Sequence, residues 1–334
     1  MNKFKRVYIT GGGGYVGSAL VPHLLADGYE VKVLDLFLYG KDVLPKHPKL
    51  ELVQGDLRDE KLLEKTIAGC DALIHLACIS NDPSFELDPN LSKVINFDIF
   101  EPLVKISKKA GVKRFVYAST SSVYGVSDAP EVKEDHPLLP ITDYNKYKGL
   151  CEPILLREAA KGFVPVIIRP ATVCGYAPRL RLDLTVNILT WHAYNTGKIT
   201  VFGGKQMRPN IHIGDMVDLY RLLLSLPDEK IASRTYNAGY ENHTVSDLAN
   251  TVVEVARKRF PNRKFEIVTT PSDDIRSYRI SSEKIKKELG FTAKRTIADA
   301  VNSLLDAFES GKVPDAGTSD KYYNIKTMKA VKLA

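Results

Sequence analysis

The stretch Val7-Tyr8-Ile9-Thr10-Gly11-Gly12-Gly13-Gly14-Tyr15-Val16-Gly17-Ser18 takes an apolar, β-branched run into four glycines and then into a helical pattern. A strand, a tight turn and a helix N-terminus are predicted there. Glycine has no Cβ, so such a turn can take positive φ and let a ligand approach the backbone closely. The N–H groups of Tyr15, Val16 and Gly17 that open the helix then face the ligand, and the helix dipole favours an anion at that end. A pyrophosphate suits the arrangement. The spacing reads as Gly12-x-Gly14-x-x-Gly17 or as the wider Gly11-x-x-Gly14-x-x-Gly17.

A glycine motif alone is weak; it needs a strand before it, a helix after it and an acidic residue about 20 positions on. Asp35 supplies the acid, at the end of the run Glu30-Val31-Lys32-Val33-Leu34. A carboxylate there can accept both ribose hydroxyls of NAD and repels the 2′-phosphate of NADP, so NAD is the expected cofactor. The plain alternative is a glycine-rich turn with no ligand, which the full context argues against.

Working outward, strands are predicted at 4–10, 30–35, 50–54, 71–76, 112–119 and 163–169, and helices at 15–27, 59–68, 90–110 and 143–161. This alternation predicts an α/β, Rossmann-type doubly wound parallel sheet, with ligands in the crevice at the carboxyl ends of the strands. After the third strand, Asp56 suits either the adenine amino group or a helix N-cap, with Leu57 beside it on the cofactor wall. After the fourth, His75 is expected to be structural. Leu76 and Ala77 would let the backbone lie along the cofactor, and Ser80 and Asn81 in the next loop are placed to touch a sugar. After the fifth, Thr120, Ser121 and Ser122 form a hydroxyl cluster suited to an alcohol or carbonyl oxygen. Tyr144 and Lys148, four apart on a predicted helix, share a face. A lysine nearby and a positively charged nicotinamide would both stabilise phenolate and draw the tyrosine below its ordinary pKa of about 10, towards a base.

The set TGGGGYVGS, GDLRD, HLA, YASTSSVYG, YNKYK and IRPATVCGYAPR resembles the extended short-chain dehydrogenases/reductases, in particular the NAD-dependent nucleotide-sugar epimerases and dehydratases. The resemblance implies Tyr144 as base, Lys148 as its partner and holder of the nicotinamide ribose, and Thr120 as the hydroxyl that bonds the reacting sugar oxygen. It implies oxidation of a nucleoside-diphosphate sugar at C4 to a transient 4-keto sugar, followed by return of hydride. In the family's 4,6-dehydratases this threonine is followed by Asp-Glu; here Ser121-Ser122 stands instead, which disfavours dehydration. The segment Pro178–Leu184 resembles members that oxidise GDP-heptoses at C4, so a net 4-dehydrogenase or 4-keto reductase is the alternative. A non-catalytic NAD-binding sensor would not need the tyrosine-lysine pair.

Beyond residue 170 the alternation loosens. Domains are expected at 1–170 for NAD and 171–311 for the nucleotide sugar, with a tail over 312–334. Arg179, Arg181 and Asn187, at the start of a predicted helix, are candidates to cradle the substrate's diphosphate. The resemblance adds Arg208 and Arg276, the latter in Asp274-Ile275-Arg276-Ser277-Tyr278, as phosphate-binding arginines. It also implies a homodimer paired through the helices at 90–110 and 143–161, with Ile95, Ile99, Leu103, Ile154 and Leu155 supplying apolar surface, part of which the sheet is expected to claim.

The 334 residues are 44% hydrophobic and 26% charged, the composition expected of an ordinary soluble globular protein. The net charge of +7 comes from scattered basic residues, not from a basic-aromatic patch, so no nucleic-acid partner is expected. No apolar run has membrane-span length, and the first residues lead directly into a strand, so neither membrane nor signal peptide is expected. The four cysteines never fall in CxxC spacing, which points to reduced thiols in the cytoplasm and to no metal.

Overall fold

A computed structural model of the chain describes residues 3–272 and 276–331. Asp274 and Ile275, in the stretch around Arg276, lie outside the described residues. Twelve strands are formed among the described residues: β1 Arg6–Thr10, β2 Glu30–Asp35, β3 Leu50–Gln54, β4 Ala72–His75, β5 Arg114–Ala118, β6 Val164–Pro170, β7 Thr172–Cys174, β8 Lys198–Phe202, β9 Met207–His212, β10 Arg234–Ala238, β11 Glu241–Thr244 and β12 Glu266–Thr270. Seven of them make one sheet in the order β10-β6-β5-β4-β1-β2-β3. Every pairing in it is parallel, with Val7 opposite Val31 on one side and Ala72 on the other.

Side chains alternate between two faces, and both are buried, as an all-parallel sheet requires. Ile9, Val33, Ile74, Val116 and Ile168 pack with Leu20 and Leu24 of the Tyr15–Ala26 helix and Leu219 of the Ile213–Ser225 helix. Tyr8, Leu73, Phe115 and Ile167 face the other way, against Leu63, Phe100, Leu103 and Leu155. A further core, with Leu189, Ile199, Val252 and Leu304, joins the later helices to the small sheets β11-β9-β7 and β12-β8. Each such aliphatic side chain, fully buried, contributes about 1.5–3 kcal/mol of transfer free energy.

Two expectations need correction and one needs refining. The helix expected at 90–110 is formed as a run of Pro89–Lys93, a π turn at Val94–Asp98 and Phe100–Lys109, with the joining residues Val94 and Ile99 in the right-handed helical region. Pro102 is the reason: it lacks an N–H, and its ring would press on the carbonyl of Asp98 in a regular helix. A boundary at 170 would also cut the main sheet, whose edge strand β10 comes from residues 234–238. Finally, Ile95, Ile99, Leu103 and Leu155 are all buried within the protomer, whereas Val94 and Leu150 are exposed on the same helices.

Candidate active site

Strand order reverses at β1, which has β2 on one side and β4 on the other. The crevice opens there, outside the carboxyl ends of the strands. Gly11 has φ +74°, and a Cβ on it would lie 2.6 Å from the Ala77 nitrogen, so the loops after β1 and β4 touch backbone to backbone. A Cβ on Gly17 would lie 2.4 Å from the Gly12 carbonyl oxygen. The Tyr15–Ala26 helix starts at Gly14 without a side-chain cap, so its first N–H groups are left to the cleft. Asp35 accepts from Gly13 N–H at 2.9 Å and from Phe37 N–H at 2.7 Å, which fixes its carboxylate beside the glycine turn. Burial pushes the Asp35 carboxyl up, opposed by those two N–H groups and by the nearby charge of Arg179. An open helix end, a side-chain-free cradle and a fixed carboxylate fit a dinucleotide.

The cleft, of about 470 Å³, runs from this turn past β4 and β5 to the Asp143–Arg157 helix and the second half of the chain. Asp56 and Leu57 line it. Asp56 pairs with Arg58, and the following helix is capped by Asp59, which settles the N-cap alternative. His75 is buried and bonds Thr10 Oγ1 at 2.7 Å; burial, then the charge of Lys148, lowers its pKa to about 3, so it is a neutral structural group.

Tyr144 and Lys148 both line the cleft. Their helix is held against the sheet by Glu152, one turn on, which accepts from Ser119 Oγ at 2.6 Å and forms a buried ion pair with Arg169. Lys148 is buried, donates from Nζ to the Ala118 carbonyl, and places its charge 4.6 Å from the Tyr117 ring centre. The expected lowering of the Tyr144 pKa is not seen in the chain by itself. Burial raises it well above the ordinary tyrosine value, Cys78 and Asp82 raise it further, and Arg181 is the cation that opposes them. The physical reason is that desolvation of the phenolate outweighs the neighbouring positive charge.

Thr120 caps the Ser121–Tyr124 turn, its Oγ1 accepting from Ser122 N–H at 3.1 Å. Ser121 and Ser122 both reach the Tyr278 hydroxyl, at 3.1 and 2.9 Å. Arg208 and Arg276, distant in the chain, come together on the cleft wall, where Arg208 donates to the Arg276 carbonyl and Arg276 pairs with Asp82.

The other predicted substrate groups divide. Ser80 and Asn81 line the cleft, and Asn81 donates to Asp183 at 3.2 Å. Arg181 lines it too, paired with Asp183 and donating to Ser80 Oγ at 3.2 Å. Arg179 also lines the cleft, in electrostatic reach of Asp35 and stacked on Tyr39 with its guanidinium 3.6 Å from the ring centre. Asn187 is not on the cleft wall. It is fully buried, accepts from Gly175 N–H at 3.0 Å, and donates to Tyr15 Oη and the Arg181 carbonyl. The helix predicted to present it to phosphate turns it inward instead, where three polar partners satisfy it. The sequence placed Cys78 and Asp82 in cleft loops without giving either a role, and gave no site to Tyr39, Asp183, Tyr278 or, in the tail, Asn324 and Met328, all on the cleft. Tyr278 had a signal in its hydroxyl two residues after Arg276; Asn324 had none.

A family model described as the NAD dependent epimerase/dehydratase family matches residues 7–239. The UDP-glucose 4-epimerase of Lactobacillus helveticus is 28% identical, over 95% of this chain and 100% of its own. The structure of MoeE5 in complex with UDP-glucuronic acid and NAD superposes with a TM-score of 0.80 at 25% identity, covering 92% of this chain and 99% of its own. The Thermus thermophilus UDP-glucose 4-epimerase complex with NAD gives 0.79 at 25% identity, over 91% and 99%.

Proposed function

The chain belongs to the NAD-dependent epimerase/dehydratase family, and from that premise we propose that it is a nucleotide-sugar 4-epimerase. It is an enzyme whose cofactor is NAD. The observation that best supports the finer reading is the grouping of Tyr144, Lys148 and Thr120 on the cleft wall, with Ser121 and Ser122 occupied by Tyr278. Neither serine offers the acid or base that elimination of water needs.

NAD, when bound, takes the C4 hydride and gives it back, and its cationic ring adds the positive charge that the phenol's surroundings lack. Tyr144 Oη accepts the 4-hydroxyl proton as the sugar is oxidised and returns it on reduction. Thr120 Oγ1 already accepts from Ser122, which leaves its O–H to donate to the sugar oxygen. Lys148, fixed by the Ala118 carbonyl, keeps a cation one helical turn from the base. Arg208 and Arg276 hold the substrate's diphosphate, and the Asp82 ion pair orients the Arg276 fork.

UDP is the nucleotide we propose, because the similar 4-epimerases carry UDP-sugars in their names. Incubation with UDP-, dTDP- and GDP-sugars followed by NMR of the products tests the reading. An equilibrium mixture of C4 epimers is the expected result. Accumulated 4-keto sugar with stoichiometric NADH would instead make the enzyme a net dehydrogenase. We also propose a homodimer through the exposed Val94 and Leu150 faces; a monomeric mass by light scattering at micromolar concentration would contradict it.

A further inference from the structure

Residues 320–330, after the last long helix, return across the molecule to the cleft, where Asn324 ties together three loops that are far apart in sequence. Asn324 is 5% exposed. Its Oδ1 accepts from Tyr39 Oη at 3.2 Å and from Arg179, its Nδ2 donates to Ser80 Oγ at 2.8 Å, and its backbone N–H donates to Asp183 at 3.0 Å. The Tyr322 carbonyl accepts from Leu182 N–H at 2.8 Å, and Met328 lines the cleft one turn on from Asn324.

Arg179, at the centre of this knot, is 3% exposed, yet its Nε and Nη1 have no hydrogen-bond partner among the described residues. Asp35 and Asp183 feel its charge, but neither bonds these N–H groups, and a buried guanidinium with unbonded donors is costly unless an anion completes its shell. Its position says which anion. The Arg179 backbone N–H donates to Ser18 Oγ at 3.1 Å, in the first turn of the helix that opens at the glycine turn, and its charge is felt by Asp35. Arg179 is therefore tied to the glycine-turn helix and in electrostatic reach of Asp35, whereas Arg208 bonds the Arg276 carbonyl and Arg276 pairs with Asp82.

We propose that Arg179, held by Asn324, is a phosphate site for the dinucleotide's pyrophosphate, and that the C-terminal segment is a latch that docks with NAD and keeps it in place. The inference rests on NAD binding and not on chemistry at C4, so it survives if the enzyme proves to be a dehydrogenase. An enzyme that returns hydride to the same sugar gains from a cofactor that does not leave.

The test uses the full-length protein stripped of nucleotide. Calorimetric titration with NAD should give Asn324→Ala a dissociation constant roughly ten- to a hundred-fold higher than the unsubstituted chain, and Arg179→Gln a similar loss. Trypsin cleavage at Lys321, Lys326 and Lys329 of the unsubstituted protein should slow when NAD is added, a readout that does not depend on any variant folding. Unchanged NAD affinity in a folded Asn324→Ala protein would overturn the proposal. So would weakened UDP-sugar affinity with NAD affinity intact, which would assign Arg179 to the substrate's diphosphate. Tail cleavage indifferent to NAD would overturn the latch.

Discussion

The two ends of the cleft are built from different materials. At the glycine turn the contacts centre on main chain: Gly11 against Ala77, Gly17 against Gly12, and Gly13 N–H held by the Asp35 carboxylate at 2.9 Å, with the Arg179 and Tyr39 side chains beside them. At the substrate end they are made by side chains from distant segments, with Arg276 on Asp82, Ser121 and Ser122 on Tyr278, and Arg181 on Asp183 and Ser80. A main-chain cradle tolerates almost no change but asks only for glycine at a few positions. A side-chain wall can be rebuilt for another sugar while the cradle stays the same. One family can thus keep NAD and vary its substrates.

The contrast is sharpest at the residue where the two ends meet. Tyr144→Phe should lower kcat by about 10²–10⁴-fold, the range for loss of a general base, and leave NAD affinity unchanged by calorimetry. Retained turnover would move the base elsewhere. At the substrate end, Arg208→Lys should raise KM by an amount equivalent to about 1.5–3 kcal/mol, because lysine cannot match the guanidinium fork, with little change in kcat. A drop in kcat at constant KM would place Arg208 on the reacting sugar. At the cofactor end, Gly17→Ala forces a Cβ against the Gly12 carbonyl. It should cost about 1–3 kcal/mol, read as weaker NAD binding with KM for the sugar kept once NAD saturates. If Gly17→Ala and Arg208→Lys each disturbed both ligands equally, the division between the ends would fail.

The smallest effect concerns pH. His75 has a folded pKa lowered to about 3 by burial, below its ordinary value near 6.5. Protonation therefore favours the unfolded chain. The stability His75 contributes is complete above pH 6.5 and is lost as pH falls from there towards 3. Between pH 7.5 and 5.5 the loss should be on the order of 1 kcal/mol, and in denaturant titrations a folded His75→Asn variant should lack that part of the slope. An identical slope in both proteins would show that His75 is not buried in neutral form.

The legibility of the chain follows the same contrast. The glycine turn, Asp35, the hydroxyl run at Thr120 and the Tyr144–Lys148 pair are local patterns. Their spacing alone places each at a strand end or on one helix face, and the described structure has them all on the cleft. The wall opposite was less legible because it is assembled across sequence separations such as 102 residues for Asn81 with Asp183 and 244 for Ser80 with Asn324. Asn187 shows how a local pattern misleads: a polar residue at the start of a helix suits phosphate, but equally suits Tyr15, Gly175 and Arg181. Arg179 was expected on the substrate because arginine matches phosphate; its bond to Ser18, formed only in the fold, is what motivates the proposal that it serves the cofactor. The helix at 90–110 is formed, and the π turn ahead of Pro102 is the detail its periodicity did not show.

The central claim is that hydride leaves C4 of the sugar and returns to C4. A UDP-sugar carrying deuterium at C4 tests it most directly, with the product followed by NMR. The account predicts a C4-inverted sugar that still carries its deuterium at C4. Inversion with deuterium lost to solvent, or inversion at another carbon with C4 untouched, would contradict it.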